Sequence, residues 1–252
     1  MSDTPDDDDA TADSVEASQP KWEPSEAADA AKLLRSRIGG GVNLDRVFEH
    51  LSRAVVIADD GIPLVWVPRE SIVADLLQAP DRPARLAILV GRTTELVEDC
   101  RSVLESITEP TLADQLPLAQ AALESYAGGH QEAAQALATV VTETVIARAV
   151  SSKYKKVQDF VLFDPAKVAW RQLRLKAALA PIHRFYTSWY RGDGQPAPEA
   201  LSRHVTVHEA HAAHFSPSNA VVAVLLVTSV MRASQELQER SARLDETVGA
   251  PT

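Results

Sequence analysis

The apolar residues of this chain recur mostly at the three- and four-residue spacing of amphipathic helices, and Pro, Gly and Ser residues separate the periodic stretches. In residues 83–108, for example, the apolar side chains form one helical stripe. The last stretch opens with Ser216 and Pro217, which are typical of an N-cap and a first helical turn. The pattern predicts an all-α fold, a multi-helix bundle with helices over residues 25–38, 44–52, 69–79, 83–108, 112–126, 130–150, 153–163, 168–190, from about 199, and 217–243.

One stretch departs from this helical periodicity. Residues 54–60 (AVVIADD) and 64–67 (LVWV) are short apolar runs on either side of Gly61 and Pro63. Runs of this length with β-branched residues, bounded by Gly or Pro, are typical of strands. We therefore expect a short hairpin or an extended crossing at this point of the chain.

The acidic charge of the chain is concentrated at its N-terminus. The net charge is −10, and residues 1–30 hold ten acidic residues and one lysine, a balance of −9 that leaves −1 for residues 31–252. Residues 1–24 also lack apolar periodicity, so this tail is predicted to be disordered. The predicted organisation is a disordered acidic tail (1–24), a mostly helical N-terminal region (25–109) and a C-terminal helical domain (110–245).

A locally basic segment lies within residues 31–252, whose net charge is close to zero. Residues 148–191 contain ten Lys or Arg residues against Asp159 and Asp164, a balance of +8. Such a segment is compatible with a phosphate-bearing partner. It is equally compatible with a solvated helix face, and the sequence leaves both interpretations open.

The single cysteine, Cys100, permits neither an internal disulfide nor a cysteine-based metal site, which favours a reducing, cytoplasmic environment. Its position on an apolar helical stripe predicts a buried, unreactive thiol. The apolar run at residues 220–230 is shorter than the ~20 residues of a membrane span. We interpret it as a buried core helix, and we expect no membrane partner and no cofactor.

Four of the seven histidines fall within eleven residues: His204, His208, His211 and His214. On an ideal helix with 100° per residue, the last three lie at about +40°, −20° and −80° from His204. All four imidazoles are therefore expected on one third of the helix circumference. Clustered imidazoles repel one another when protonated and need partners when buried, so this arrangement calls for an explanation.

Three interpretations of the cluster compete. His204 and His208, spaced i and i+4, could chelate one metal ion, although the helix lacks the glutamate that directly follows the first histidine in zinc proteases. The histidines could instead line a helix interface without chemistry. In the third interpretation a histidine exchanges protons with the ribose 2′-OH or the 5′-oxygen of RNA, while Arg203 holds the scissile phosphate.

The residues that carry the third interpretation resemble a known family. Arg203, the polar residue after it and His208 form an Arg-x4-His pattern that is similar to the motif of HEPN domains. The wider stretch resembles a bacterial HEPN-like group, with Ser202 and Glu209 where that group often has Asn and Gly; it reads SRHVTVHEAHAAHFSPSNAVVAVLLV. Residues 121–149 resemble the helical pair of the same domain, and the resemblance covers mainly residues 111–240.

The resemblance implies a metal-independent endoribonuclease with a toxin or phage-defence role, leaving a 2′,3′-cyclic phosphate on its RNA product. It assigns general acid/base work to His208, the phosphate clamp to Arg203 and a supporting polar role to His204. An antitoxin or other protein partner is also implied. The alternative is a catalytically inactive HEPN-like module that binds another protein.

The helical spacing raises an objection to this assignment. Residues i and i+5 lie about 140° apart on a helix, so Arg203 and His208 are not expected to share a face. Either Arg203 lies in an irregular first turn, or the site is shared between two chains. HEPN nucleases place their motifs face to face across a dimer, so the resemblance predicts an isologous homodimer with Arg203 and His208 near its two-fold axis.

Overall fold

The computed structural model describes residues 23–25, 28, 54, 58–162 and 173–248. Within these ranges the secondary structure is entirely helical, with no strand, so the all-α prediction is confirmed. The α-helices are α1 (Glu70–Gln78), α2 (Arg82–Gly91), α3 (Thr93–Glu105), α4 (Leu116–Ala127), α5 (Gln131–Ala149), α6 (Tyr154–Val161), α7 (Leu173–Leu179), α8 (Pro181–Phe185), α9 (Arg203–His208) and α10 (Pro217–Val248). Short 3-10 helices span Pro110–Leu112, Arg191–Asp193 and Ala212–His214.

Helix α10 is the centre of the core. Every residue from Ala220 to Met231 is buried, as expected for a helix surrounded by others on all sides. It packs against α5, α3, α4, α2 and α7. The segment Pro217–Arg243 is long and apolar enough to cross a membrane, but 89% of its apolar window is buried inside the protein. The predicted burial of residues 220–230 in the core is thus confirmed.

Helices α4 and α5 form an antiparallel pair beside α10. Gly128 and Gly129 make the turn between them, and Gly129 has a φ of +82°, which a residue with a side chain rarely adopts. Fully buried alanines, Ala122 and Ala138 among them, let the helices approach closely. The observed bounds agree with the helices predicted over residues 112–126 and 130–150 to within a few residues at each end.

Two predicted helices are broken in the structure. The helix predicted over residues 83–108 is divided at Arg92, which ends α2 and begins α3 and whose guanidinium contacts Asp75 and Glu95. The helix predicted over 168–190 ends at α8, because Tyr186 terminates it and residues 187–190 are not helical. This second break matters for the site, since it moves Tyr190 from a helix into a loop.

Of the two conformations predicted for residues 54–67, the short hairpin is wrong. Ala54 and Ala58 are helical, and residues 59–69 form turns and bends without strand pairing. The segment is nonetheless buried. Ser229 of α10 donates a hydrogen bond to the Val65 carbonyl (3.3 Å), and the guanidinium groups of Arg174 and Arg232 each lie over the Trp66 ring. The apolar run thus crosses the core in an irregular conformation.

Several predictions fall outside the described residues. The disordered tail is one of them, since only its last two residues are described. The others are most of the helix predicted over 25–38, the helix predicted over 44–52, and the start of the helix predicted from residue 168. The boundary at residues 109 and 110 stays a prediction, although α10 packs against helices on both sides of it.

Candidate functional site

Helix α9 is much shorter than the helix predicted for the histidine stretch. Ser202 caps its N-terminus by accepting a hydrogen bond from the Val205 amide (3.4 Å), and the helix ends at His208. His211 follows in an extended conformation, and His214 ends a separate 3-10 turn. The prediction of four imidazoles on one helical face is therefore wrong, and only His204 and His208 share α9.

His214 explains why the histidine stretch does not continue as one helix beyond His208. Its Nε2 accepts a hydrogen bond from the Ser202 amide at 3.3 Å, whereas residues 202 and 214 of an unbroken helix would lie roughly 18 Å apart. Its carbonyl oxygen accepts hydrogen bonds from Gln135 (3.2 Å) and Asn219 (2.9 Å). His214 is 4% exposed, and burial lowers its pKa. This histidine is a structural element that folds the chain back over the start of α9.

His204 and His208 form the imidazole pair that the i, i+4 spacing predicted. Their ring centroids lie 5.3 Å apart, with His208 exposed and His204 partly buried. Tyr190 contacts His204 edge to face, with 4.5 Å between the ring centroids. Burial, the His208 imidazole and the Arg203 guanidinium all lower the pKa of His204. The pair thus combines an imidazole that favours its neutral form with a solvent-exposed neighbour.

Arg203 begins α9, and its side chain contacts Glu143 and Tyr186. Its Nη2 lies 2.5 Å from Oε1 of Glu143 on α5, and its guanidinium stacks over the Tyr186 ring at 5.7 Å. The hydrogen bond to Glu143 raises the pKa of Arg203, and burial raises the pKa of Tyr186 to about 12. The Arg203 Nε is buried without a hydrogen-bond partner.

The structure therefore joins two of the three predicted site residues directly. His204 contacts His208, while the contacts of Arg203 go to Glu143 and Tyr186, as the 140° objection anticipated. Arg203 remains an electrostatic neighbour of His204. Sequence reasoning missed Glu143 and the site roles of Tyr186 and Tyr190; only the aromatic richness of residues 185–190 signalled the latter two.

Basic side chains border this site. The Tyr154 hydroxyl donates a hydrogen bond to the Tyr186 carbonyl (2.5 Å), which fixes α6 beside the Arg203 stack. Helix α6 brings three exposed lysines with it, Lys153, Lys155 and Lys156. Arg191, whose side chain is 69% exposed, lies beyond Tyr190 at 3.6 Å from Glu209. Part of the basic segment is therefore accessible, at α6 beside the Arg203 stack and at Arg191 beside the end of α9.

The metal interpretation of this stretch requires further ligands near His204 and His208. Across the described ranges, no group of three or more His, Cys, Asp or Glu side chains is arranged to hold a metal ion. His204 and His208 supply two nitrogen donors, whereas protein zinc sites use three or four protein ligands.

The all-α class is shared by proteins of many unrelated functions, so function has to be argued from the site. Comparisons of the chain with protein-family models, with curated proteins and with solved structures gave no match. The resemblance to HEPN domains accordingly stays an expectation that rests on the residues quoted for it.

Proposed function

We propose that this chain is a metal-independent endoribonuclease of the HEPN type, with a toxin or phage-defence role in the cytoplasm. The observation that carries the proposal is the imidazole pair, His204 and His208, 5.3 Å apart at an accessible surface with Arg203 beside it. Two imidazoles and a guanidinium provide the groups that cleavage of a phosphodiester by its own 2′-hydroxyl requires.

The lowered pKa of His204 suits it to accept a proton at neutral pH. In the proposed reaction His204 takes the proton of the ribose 2′-OH, and the 2′-oxygen forms a bond to phosphorus. The bond from phosphorus to the 5′-oxygen breaks, and His208 in its protonated form gives its proton to that oxygen. The products are a 2′,3′-cyclic phosphate and a 5′-hydroxyl. In this reaction His208 keeps the acid/base role that the resemblance assigns to it. His204, to which the resemblance assigns only a supporting polar role, becomes the general base.

Arg203 is proposed to hold the scissile phosphate. A guanidinium has five N–H donors, and the contact with Glu143 is made by Nη2, so the group can bridge Glu143 and a phosphate oxygen or exchange one for the other. In a dimer, Arg203 of one protomer can instead hold the phosphate that the imidazole pair of the other protomer cleaves.

The proposed arrangement suits a homodimer. Val140 on α5 and Val207 on α9 are 48% and 40% exposed, and α5 and α9 pack against each other. Exposed apolar side chains beside a site are typical of interaction surfaces. We infer an isologous dimer that covers these valines and brings the two sites together; an antitoxin is a further partner consistent with the proposed role.

The test is incubation of the purified full chain with RNA in excess EDTA. Wild type is expected to cleave, and His208→Ala and Arg203→Ala are expected to lose most of the rate. His130→Ala, which removes an exposed histidine at the start of α5, serves as the matched control and should cleave like wild type. Equal cleavage by wild type, His208→Ala and Arg203→Ala would refute the assignment.

A second candidate function is a catalytically inactive protein-interaction module. The observation that favours it is the ion pair of Arg203 with Glu143, which already neutralises the proposed phosphate clamp. Expression in a bacterial host separates the two functions. Growth arrest that requires His208 supports the nuclease, whereas expression without effect on growth supports the interaction module.

A further inference from the structure

In the described part of the chain, the exposed aromatic rings lie at the candidate site. Two tyrosines are exposed there, Tyr154 (38%) and Tyr190 (54%), whereas the remaining described Phe, Tyr and Trp side chains are buried or partly buried. Both lie at the candidate site. Leaving an aromatic ring in water forgoes the free energy of burying it, so two such rings beside one site suggest a ligand with flat apolar faces.

A series of neighbouring residues connects the two tyrosines to the proposed catalytic groups, with ring contacts on either side of the consecutive residues Arg203 and His204. The Tyr154 ring lies 5.6 Å from the Tyr186 ring, and Arg203 stacks over Tyr186 at 5.7 Å. The next residue, His204, contacts Tyr190 at 4.5 Å. Tyr154 and Tyr190 therefore occupy the two ends of a series that has Arg203 and His204 in its middle.

Hydrogen bonds hold the Tyr154 ring directly, and one hydrogen bond closes the loop that carries Tyr190. The hydroxyl of Tyr154 is bonded to the Tyr186 carbonyl and accepts a hydrogen bond from Gln158 (2.6 Å). Next to Tyr190, the Trp189 indole N–H donates to the Gln195 carbonyl (2.9 Å), which closes the loop. A ring that is already held loses little conformational freedom when a ligand stacks on it.

We propose that Tyr190 forms a base-stacking subsite for a nucleotide next to the scissile phosphate, with Tyr154 receiving a base on the other side, so that the site takes single-stranded RNA. The inference rests on the proposed function and specifies its substrate. Unpaired bases expose their faces to aromatic side chains, whereas the bases of a duplex are covered by their neighbours. Arg191 lies next to Tyr190, with a side chain exposed enough to contact an adjoining phosphate.

The experiment uses full-length protein and a short single-stranded RNA with 2′-O-methyl riboses, which cannot be cleaved through a 2′-OH. One base is replaced by fluorescent 2-aminopurine, whose emission is quenched by stacking. We expect wild type to bind this probe with quenching, and to bind the matching duplex more weakly. Tyr190→Ala should weaken binding about 5- to 150-fold, the effect of losing one base stack, and should abolish the quenching. Tyr190→Phe should retain both.

Leu118→Ala is the control for loss of an exposed apolar side chain elsewhere, since Leu118 on α4 is 45% exposed. Equal binding by wild type and Tyr190→Ala overturns the subsite even if the protein cleaves RNA. Conversion of a dimer to a monomer by Tyr190→Ala also overturns it, because the ring would then be an interface residue. Tyr190-dependent quenching without RNA cleavage supports the subsite and contradicts the nuclease, so the two proposals fail separately.

Discussion

The guanidinium of Arg203 and the carboxylate of Glu143 form an ion pair across α9 and α5, with Nη2 and Oε1 2.5 Å apart. The pair links the start of the histidine-bearing helix to the long helix beside it. It also places a carboxylate where the proposed function requires a phosphate. In the proposed function, Glu143 is therefore the residue that competes with RNA for Arg203.

Replacing Glu143 with Gln is expected to strengthen RNA binding about 5-fold, equivalent to ~1 kcal/mol, because the phosphate no longer competes with a carboxylate for Arg203. The measurement is fluorescence anisotropy with a 2′-O-methyl RNA. Glu132→Gln is the matched control, since Glu132 lies exposed on the same helix and loses the same charge. An equal gain in both variants would assign the effect to net charge and not to Arg203.

The sequence predicted the all-α fold class and most of the helices. The apolar periodicity indicates helices, and Gly and Pro residues mark where they begin and end. Gly128 and Gly129, for instance, marked the turn between α4 and α5. The break at Arg92 was missed because the buried apolar positions on either side of it, Leu89 and Leu96, keep the helical spacing. Gly91, the last residue of α2, was the available signal.

At the site, the spacing predicted the contact of His204 with His208, since i and i+4 side chains are neighbours on any helix. It did not predict the inward turn of His214, which depends on a hydrogen bond to Ser202 that forms only when the chain folds back. Glu143 lay beyond sequence reasoning for a related reason. Its pairing with Arg203 follows from the packing of α9 on α5 and not from any local pattern.

His204 is expected to titrate below the ordinary histidine value, because burial, His208 and Arg203 all lower its pKa. Arg203→Gln removes one positive neighbour and should move the pKa of His204 upward. Proton NMR of the imidazole Cε1–H signals over a pH series measures both quantities, with His204→Ala assigning the resonance. A His204 signal that titrates at the ordinary value and does not respond to Arg203→Gln would contradict the described environment.

Acid should destabilise the fold through His214. Burial lowers its pKa, so the unfolded chain binds a proton at higher pH than the folded chain does. The free energy of unfolding is therefore expected to fall as the pH drops below about 6.5, the ordinary histidine value. Urea unfolding at several pH values tests this. His214→Gln should reduce the pH dependence, and an unchanged slope in that variant would assign the acid sensitivity to other groups.

Cys100 is expected to be unreactive in the folded protein. It is fully buried on α3, and burial raises the pKa of its thiol to about 12, so the reactive thiolate is scarce at neutral pH. A thiol-reactive reagent such as DTNB should label none of the native protein and one thiol per chain in denaturant. Rapid labelling of native protein would show that the helix packing around Cys100 opens.

Two neighbouring imidazoles, His204 and His208, are proposed to cleave RNA together. This cooperation is tested most directly by single-turnover cleavage rates in EDTA for wild type, His204→Ala, His208→Ala and the double variant. Each single variant is predicted to be at least about 100-fold slower than wild type, since general acid–base groups contribute 10²–10⁴-fold. The double variant should be no slower than the slower single one, because residues that act as a unit are not additive. Wild-type rates in both single variants would contradict the account.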